Sequence, residues 1–153
     1  MDEMEKFMTF RKLVVVIFLL CVFIVVHASA GDLCYDNADP ALSSLKTWND
    51  LRLWYENYPG CDDGYFAEGL SDFVVVSLAK RWETLPSLQA EIMKNNGFKH
   101  FVLKYIDATM DENDLRMLVT NSKTKCLSNL RPLCKEIQKN VQKALKETKE
   151  IKK

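Results

Sequence analysis

Residues 13–26 form an unbroken run of fourteen apolar side chains, preceded by Phe10, Arg11 and Lys12 and followed by Ala28-Ser29-Ala30. A basic edge, a short apolar core and small residues behind it are the layout of a secretory signal peptide. Fourteen residues fall short of the roughly 20 that a helix needs to cross a bilayer, so a cleaved leader is expected rather than an anchor. Cys21 could mark a lipoprotein site, but Leu20 stands where a small residue is needed. The expected division is therefore a leader over 1–30 and one mature domain over 31–153, folded outside the cytosol.

Removing the leader takes 21 apolar residues and leaves 52 in 123, about 42%, an ordinary content for one globular domain. Three acids and three bases leave with it, so the mature chain holds 18 of each and has no net charge. That balance disfavours a strongly cationic nucleic-acid binder and a chain too polar to fold.

Four cysteines remain: Cys34, Cys61, Cys126 and Cys134. An even number in an exported chain implies disulfides. Three pairings are possible. Cys34–Cys61 with Cys126–Cys134 is favoured, because each pair is nearest in sequence and each flanks a turn-rich segment, 37–40 and 128–132. A zinc site is the weaker alternative, since there is no CxxC spacing and His100 is the one mature histidine.

Apolar periodicity predicts helices throughout. Asp39 can cap a helix with Pro40 at its first position, and Leu42, Leu45, Trp48, Leu51 and Tyr55 continue one helical face until Pro59-Gly60. Asp62-Asp63-Gly64 opens a second helix, its acids at the positive end of the dipole, running past Val74-Val75-Val76 to near Trp82. After Leu85-Pro86 a short helix carries Leu88, Ile92 and Met93 and closes at Asn95-Asn96-Gly97. Phe98, Phe101, Val102, Tyr105 and Ile106 then share one stripe. Another helix follows Asp111, with Leu115, Leu118 and Val119 inward. The last starts near Pro132, with Leu133, Ile137, Val141, Ala144 and Leu145 on one stripe and Lys135, Lys139 and Lys143 on another face. The predicted fold is all-α: a single compact bundle of about six helices stapled by two disulfides.

The densest polar segment is Cys61-Asp62-Asp63-Gly64-Tyr65-Phe66-Ala67-Glu68-Gly69. Asp62, Asp63 and Glu68 could in principle hold calcium or perform the acid–base work of glycoside cleavage. Dipole-favoured acids and close-packing glycines explain the segment more simply. Asp111-Glu112-Asn113-Asp114 lacks the central glycine and later glutamate of a calcium loop. His100 sits off the inward stripe with no recognisable nucleophile, and no glycine-rich phosphate loop occurs. No catalytic residue, metal ligand or cofactor is expected.

Charge distribution says more than charge total. Residues 31–79 carry nine acids against Lys46 and Arg52, a net of −7, whereas 80–153 carry a net of +7. Such asymmetry steers charged partners and favours antiparallel self-association, including a homodimer. Within the acidic half, Trp54 and Tyr58 lie beside the core stripe that Trp48 and Tyr55 share. Aromatic side chains off that stripe are enriched at interfaces. Trp54, Tyr58, Asp62, Asp63 and Glu68 are therefore the expected partner-binding residues.

The profile from Cys34 to Leu145 resembles the helical, disulfide-bonded periplasmic immunity proteins that neutralise type VI secretion amidase effectors; the local stretch offered for the likeness is Cys61-Asp62-Asp63-Gly64-Tyr65-Phe66-Ala67-Glu68-Gly69-Leu70-Ser71-Asp72. The resemblance implies a periplasmic or secreted inhibitor that occludes an effector's active cleft with a loop or helix end, often from a homodimer. The partner would then be a protein, such as a cationic wall hydrolase, with no nucleic acid and no stable membrane insertion after cleavage. The alternative is an exported enzyme or accessory envelope protein using the Asp62/Asp63/Glu68 cluster. N-terminal sequencing of the exported protein should begin at Gly31; a chain beginning at Met1 and partitioning with membranes would instead make residues 13–26 an anchor.

Overall fold

Seven α-helices and three shorter helical turns follow one another, with no strand, through the residues that the computed structural model describes, 34–151. The expected leader and its cleavage site lie outside the described residues. A boundary between structural units falls after Asp39. Before it stands one π-helical turn, Cys34–Ala38. The helices are α1 (Asp39–Ser43), α2 (Trp48–Asn57), α3 (Gly64–Lys80), α4 (Leu85–Lys94), α5 (Asn96–Lys104), α6 (Glu112–Thr124) and α7 (Arg131–Ile151). Turns of 3-10 helix at Trp82–Thr84 and Ser128–Leu130 lead into α4 and α7.

The single helix expected from Asp39 to Tyr58 is two. Ser44 and Leu45 close tight i→i−3 bonds to Ala41 and Leu42, and Thr47 is extended at φ −127° and ψ 162°. Thr47 Oγ1 accepts from the Asp50 N–H at 3.2 Å, while Asp50 Oδ2 accepts from the Thr47 N–H at 2.9 Å. This reciprocal capping box satisfies two orphan donors at once. The apolar period resumes in register after the break, which hides it from periodicity. Asp39 is itself the first residue of α1, not the residue before it.

Elsewhere the stripes hold. Phe98, Phe101, Val102, Tyr105 and Ile106 are all buried, and Val74 and Val75 are buried in helix rather than strand. Met93 departs from expectation: it is 77% exposed, because Leu88 and Ile92 take the inward face and the next position turns to solvent. Tyr55, Val119 and Leu145 are half-buried.

Helices α6 and α7 pack as a long pair, and α6 packs on α3. Asn121 is 1% exposed, and its Nδ2 donates to the carbonyls of Leu78 at 3.3 Å and Ala79 at 2.8 Å. Those carbonyls belong to the last turn of α3, which the helix itself cannot satisfy. Nearby, Lys80 pairs with Asp114 at 3.0 Å and Trp82 Nε1 donates to the Lys125 carbonyl at 3.1 Å.

Cys34 and Cys61 are each disulfide-bonded, and Cys126 pairs with Cys134 as favoured from the sequence. Cys126–Cys134 spans the α6–α7 connection with a Cα–Cα distance of 6.3 Å. Disulfides form and persist chiefly in oxidising compartments outside the cytosol. Among the described residues no helix is long and apolar enough to cross a membrane.

Asn121→Ala should destabilise the fold by about 1–3 kcal/mol, because it leaves buried carbonyls unpaired. Replacing Cys126 and Cys134 together by Ala should cost about 2–3 kcal/mol, the closure entropy of so short a loop. Urea denaturation at constant m-value checks both.

Candidate functional site

The turn between α2 and α3 forms the site. Tyr58 ends α2, its N–H bonded to the Trp54 carbonyl at 3.0 Å. Pro59 and Gly60 occupy the middle of a tight turn closed by the Cys61 N–H on the Tyr58 carbonyl at 3.2 Å. Gly60 has φ +83°, the left-handed value that a type II turn requires after proline. The chain then reverses through Asp62 and Asp63 into α3, with Gly64 again left-handed at φ +49°.

This turn forms one wall of an open cleft of about 390 Å³. Tyr55, Tyr58 and Phe101 give it aromatic surface, Glu56 and Asp62 give it carboxylates, and Asn95 closes the far side. Beneath it lies a cluster of rings. Phe101 meets Tyr55 at 4.7 Å and Tyr105 at 4.9 Å, while Trp54 lies 6.2 Å from Phe66 and 6.4 Å from Phe101. Such offset and edge-on pairs add to the area that the rings bury.

Both carboxylates have internal partners. Asp62 Oδ2 accepts from Lys104 Nζ at 2.8 Å and from the Tyr105 hydroxyl at 3.0 Å. The lysine bond, and after it the tyrosine, hold the Asp62 carboxyl below its ordinary range against the opposing effect of burial. Burial first, and the carboxylate second, push the Tyr105 phenol far up, so it stays a donor at any physiological pH. Glu56 Oε1 accepts from Asn95 Nδ2 at 2.9 Å, and its other oxygen pairs with Arg52. The Asn95 bond, then the Arg52 bond, hold Glu56 below its ordinary range. Arg52 also reaches Glu91 at 2.7 Å, and Lys94 reaches the same carboxylate at 2.8 Å. Burial pushes Glu91 up, but the Lys94 and Arg52 bonds outweigh it and lower its pKa.

The five residues expected to bind a partner do not form one surface. Tyr58 and Asp62 line the cleft. Asp63 stands exposed beside it, the N-cap of α3 with no side-chain capping bond. Glu68 lines a separate groove of about 530 Å³ along α3, with Tyr65, Asp72 and Phe73. Trp54 is a correction. At 2% exposure it belongs to the core, because α5 places Phe101 against it and α3 places Phe66 there. Asp62 and Glu68 line different hollows, and Asp62 is already held by Lys104 and Tyr105.

Sequence reading missed Tyr55, Glu56, Asn95, Phe101, Lys104 and Tyr105. The Arg52/Glu56 spacing of i, i+4 was a usable signal. Asn95 read as a helix stop, whereas it ends α4 and also caps α5, its Oδ1 accepting from the Gly97 N–H at 3.0 Å. Nothing local announces that Lys104 and Tyr105 return to Asp62.

Comparison of the chain with protein-family models, with curated proteins and with solved structures finds no match.

Trp54→Ala should cost about 3–5 kcal/mol by emptying a core site; denaturant melts would show it. Asp62→Asn should carry a pH signature. A carboxylate with a lowered folded pKa contributes stability that is fully present above its unfolded value, near 4, and is lost as pH falls through the folded value. The stability gap between parent and Asp62→Asn should therefore be constant from about pH 5 to 7 and close on acidification below about pH 4.

Proposed function

We propose that this domain is exported to the periplasm or beyond after loss of residues 1–30, and there binds another protein through the α2–α3 turn as an inhibitor of the immunity type. The observation that carries the reading is the open cleft of about 390 Å³, in which Tyr55, Tyr58 and Phe101 stand beside Glu56 and Asp62. Aromatic rings on a rigid turn make good interface anchors, since little side-chain freedom is lost on contact. Asp63, exposed at the rim and in no ion pair among the described residues, adds negative charge within an acidic half of net −7. A cationic target, such as a hydrolase that itself holds an anionic wall polymer, would be drawn to that surface. The internal pairing of Glu56 and Asp62 shapes the contact as well. Those carboxylates hold the cleft's walls in place, and Tyr58 with Asp63 is left to meet the partner.

The test is affinity for a wall amidase recovered from periplasmic extract on the exported protein and then purified. Tyr58→Ala should weaken binding at least tenfold while melting remains cooperative. Asp63→Lys should slow association, and raising salt should slow the parent in the same way. Affinity unchanged by both substitutions would place the contact elsewhere and overturn the proposal.

A further inference from the structure

Helix α7 carries a feature that the cleft does not use. Its buried face is Leu133, Ile137, Val141, Ala144 and Thr148, spent against the rest of the bundle. Its outer face bears Arg131, Lys135, Lys139, Lys143, Lys146 and Lys149, all exposed. At 100° per residue these fall within about a third of the helix circumference, and at 1.5 Å per residue they extend about 27 Å along it. Glu150 is the one acid on that face, and it and Glu147 reach Lys146 and Lys143 only loosely, at 3.9 and 3.7 Å. No ion pair engages Arg131, Lys135, Lys139 or Lys149 among the described residues, whereas the bases of the cleft network, Arg52, Lys94 and Lys104, are all paired.

The arrangement narrows the choice of ligand. The cations sit on successive turns of one convex surface, so they do not converge on a single small anion. No aromatic side chain lies among them, unlike the stacking platforms that hold single-stranded nucleic acid. On a second copy of the chain, the acidic helix α3 offers no row of matching length in return. The exposed acids of α3 and its cap are Asp63, Glu68 and Asp72, which span ten residues, interrupted by the exposed Tyr65. What matches a long, straight, one-sided row of lysines is an extended plane of negative charge.

We infer that the outer face of α7 docks the domain on an anionic phospholipid bilayer, through lysine contacts to headgroup phosphates and without insertion. The apolar face of α7 is committed to the core, so adsorption is electrostatic. Juxtaposed lysines bind such surfaces additively, and the attraction fades beyond a Debye length. The chain's overall neutrality does not prevent docking, because acids farther than that length from the bilayer are screened. The stripe and the cleft share no residue. Loss of one activity therefore leaves the other measurable.

The experiment is vesicle flotation of the exported, disulfide-bonded protein at low and high salt. Vesicles of phosphatidylcholine with 30% phosphatidylglycerol are compared with pure phosphatidylcholine. Binding is expected on the anionic vesicles alone and should fall at least tenfold between about 50 and 300 mM salt. Replacing Lys135, Lys139, Lys143 and Lys146 by Gln should abolish it with the melting temperature unchanged, while Tyr58→Ala should leave it intact. Equal binding to neutral vesicles, or full binding by the four-lysine variant, would overturn the inference. So would retention by soluble polyphosphate without retention by anionic vesicles, or salt-sensitive dimerisation in place of vesicle binding.

Discussion

Phe101 is the contact on which the cleft depends. Its ring meets Tyr55, Tyr105, Phe98 and Trp54 at centroid distances between 4.7 and 6.4 Å, and so ties α2 to α5. Lys104 and Tyr105, at the end of the same helix, reach back to Asp62 across the α2–α3 turn. One helix of nine residues thus supplies the floor under the aromatic wall and the anchors of the acidic one. Such backing matters for a turn, because a turn without it must be ordered on contact at a cost in conformational entropy. Here the order already exists.

The polar network above that floor joins helices rather than charges the surface. Arg52 touches Asn49, Glu56 and Glu91, so α2 and α4 meet through a guanidinium whose planar fork suits several acceptors at once. The acidity of the N-terminal half is consequently less available than a count of acids suggests. Asp50, Glu56 and Asp62 are engaged internally, whereas Asp36, Asp63, Glu68 and Asp72 stand exposed. The basic half behaves in the opposite way. Its charge gathers on α7, where helical periodicity places lysines four residues apart on one face.

How much of this was legible depends on the range of each interaction. The five-residue stripe from Phe98 to Ile106, the α7 stripe and the Cys126–Cys134 bridge follow from spacing, and spacing is local information. The break at residues 44–47 was missed because the apolar register survives it, although Thr47 and Asp50 stood at capping-box positions. Trp54 shows the limit of a single-helix view. Lying beside a stripe says where a side chain points, but not that Phe66 and Phe101 will arrive to cover it. The Asp62–Lys104–Tyr105 cluster closes over forty residues of chain, and only the packed bundle brings it together.

Asn95 has an evolutionary consequence. Its backbone N–H bonds to the Ile92 carbonyl, ending α4, while its side chain caps α5 at Gly97 and donates to Glu56. Gly97 is constrained in turn, since a Cβ there would stand 2.5 Å from the Tyr55 hydroxyl. Aspartate at 95 would lose the donor and face Glu56 with like charge, and serine would be too short to span both. Drift at this corner is therefore not free one residue at a time. Positions 55, 56, 95 and 97 would be inherited as a block, and a change tolerated at one would be expected to relax the other three with it.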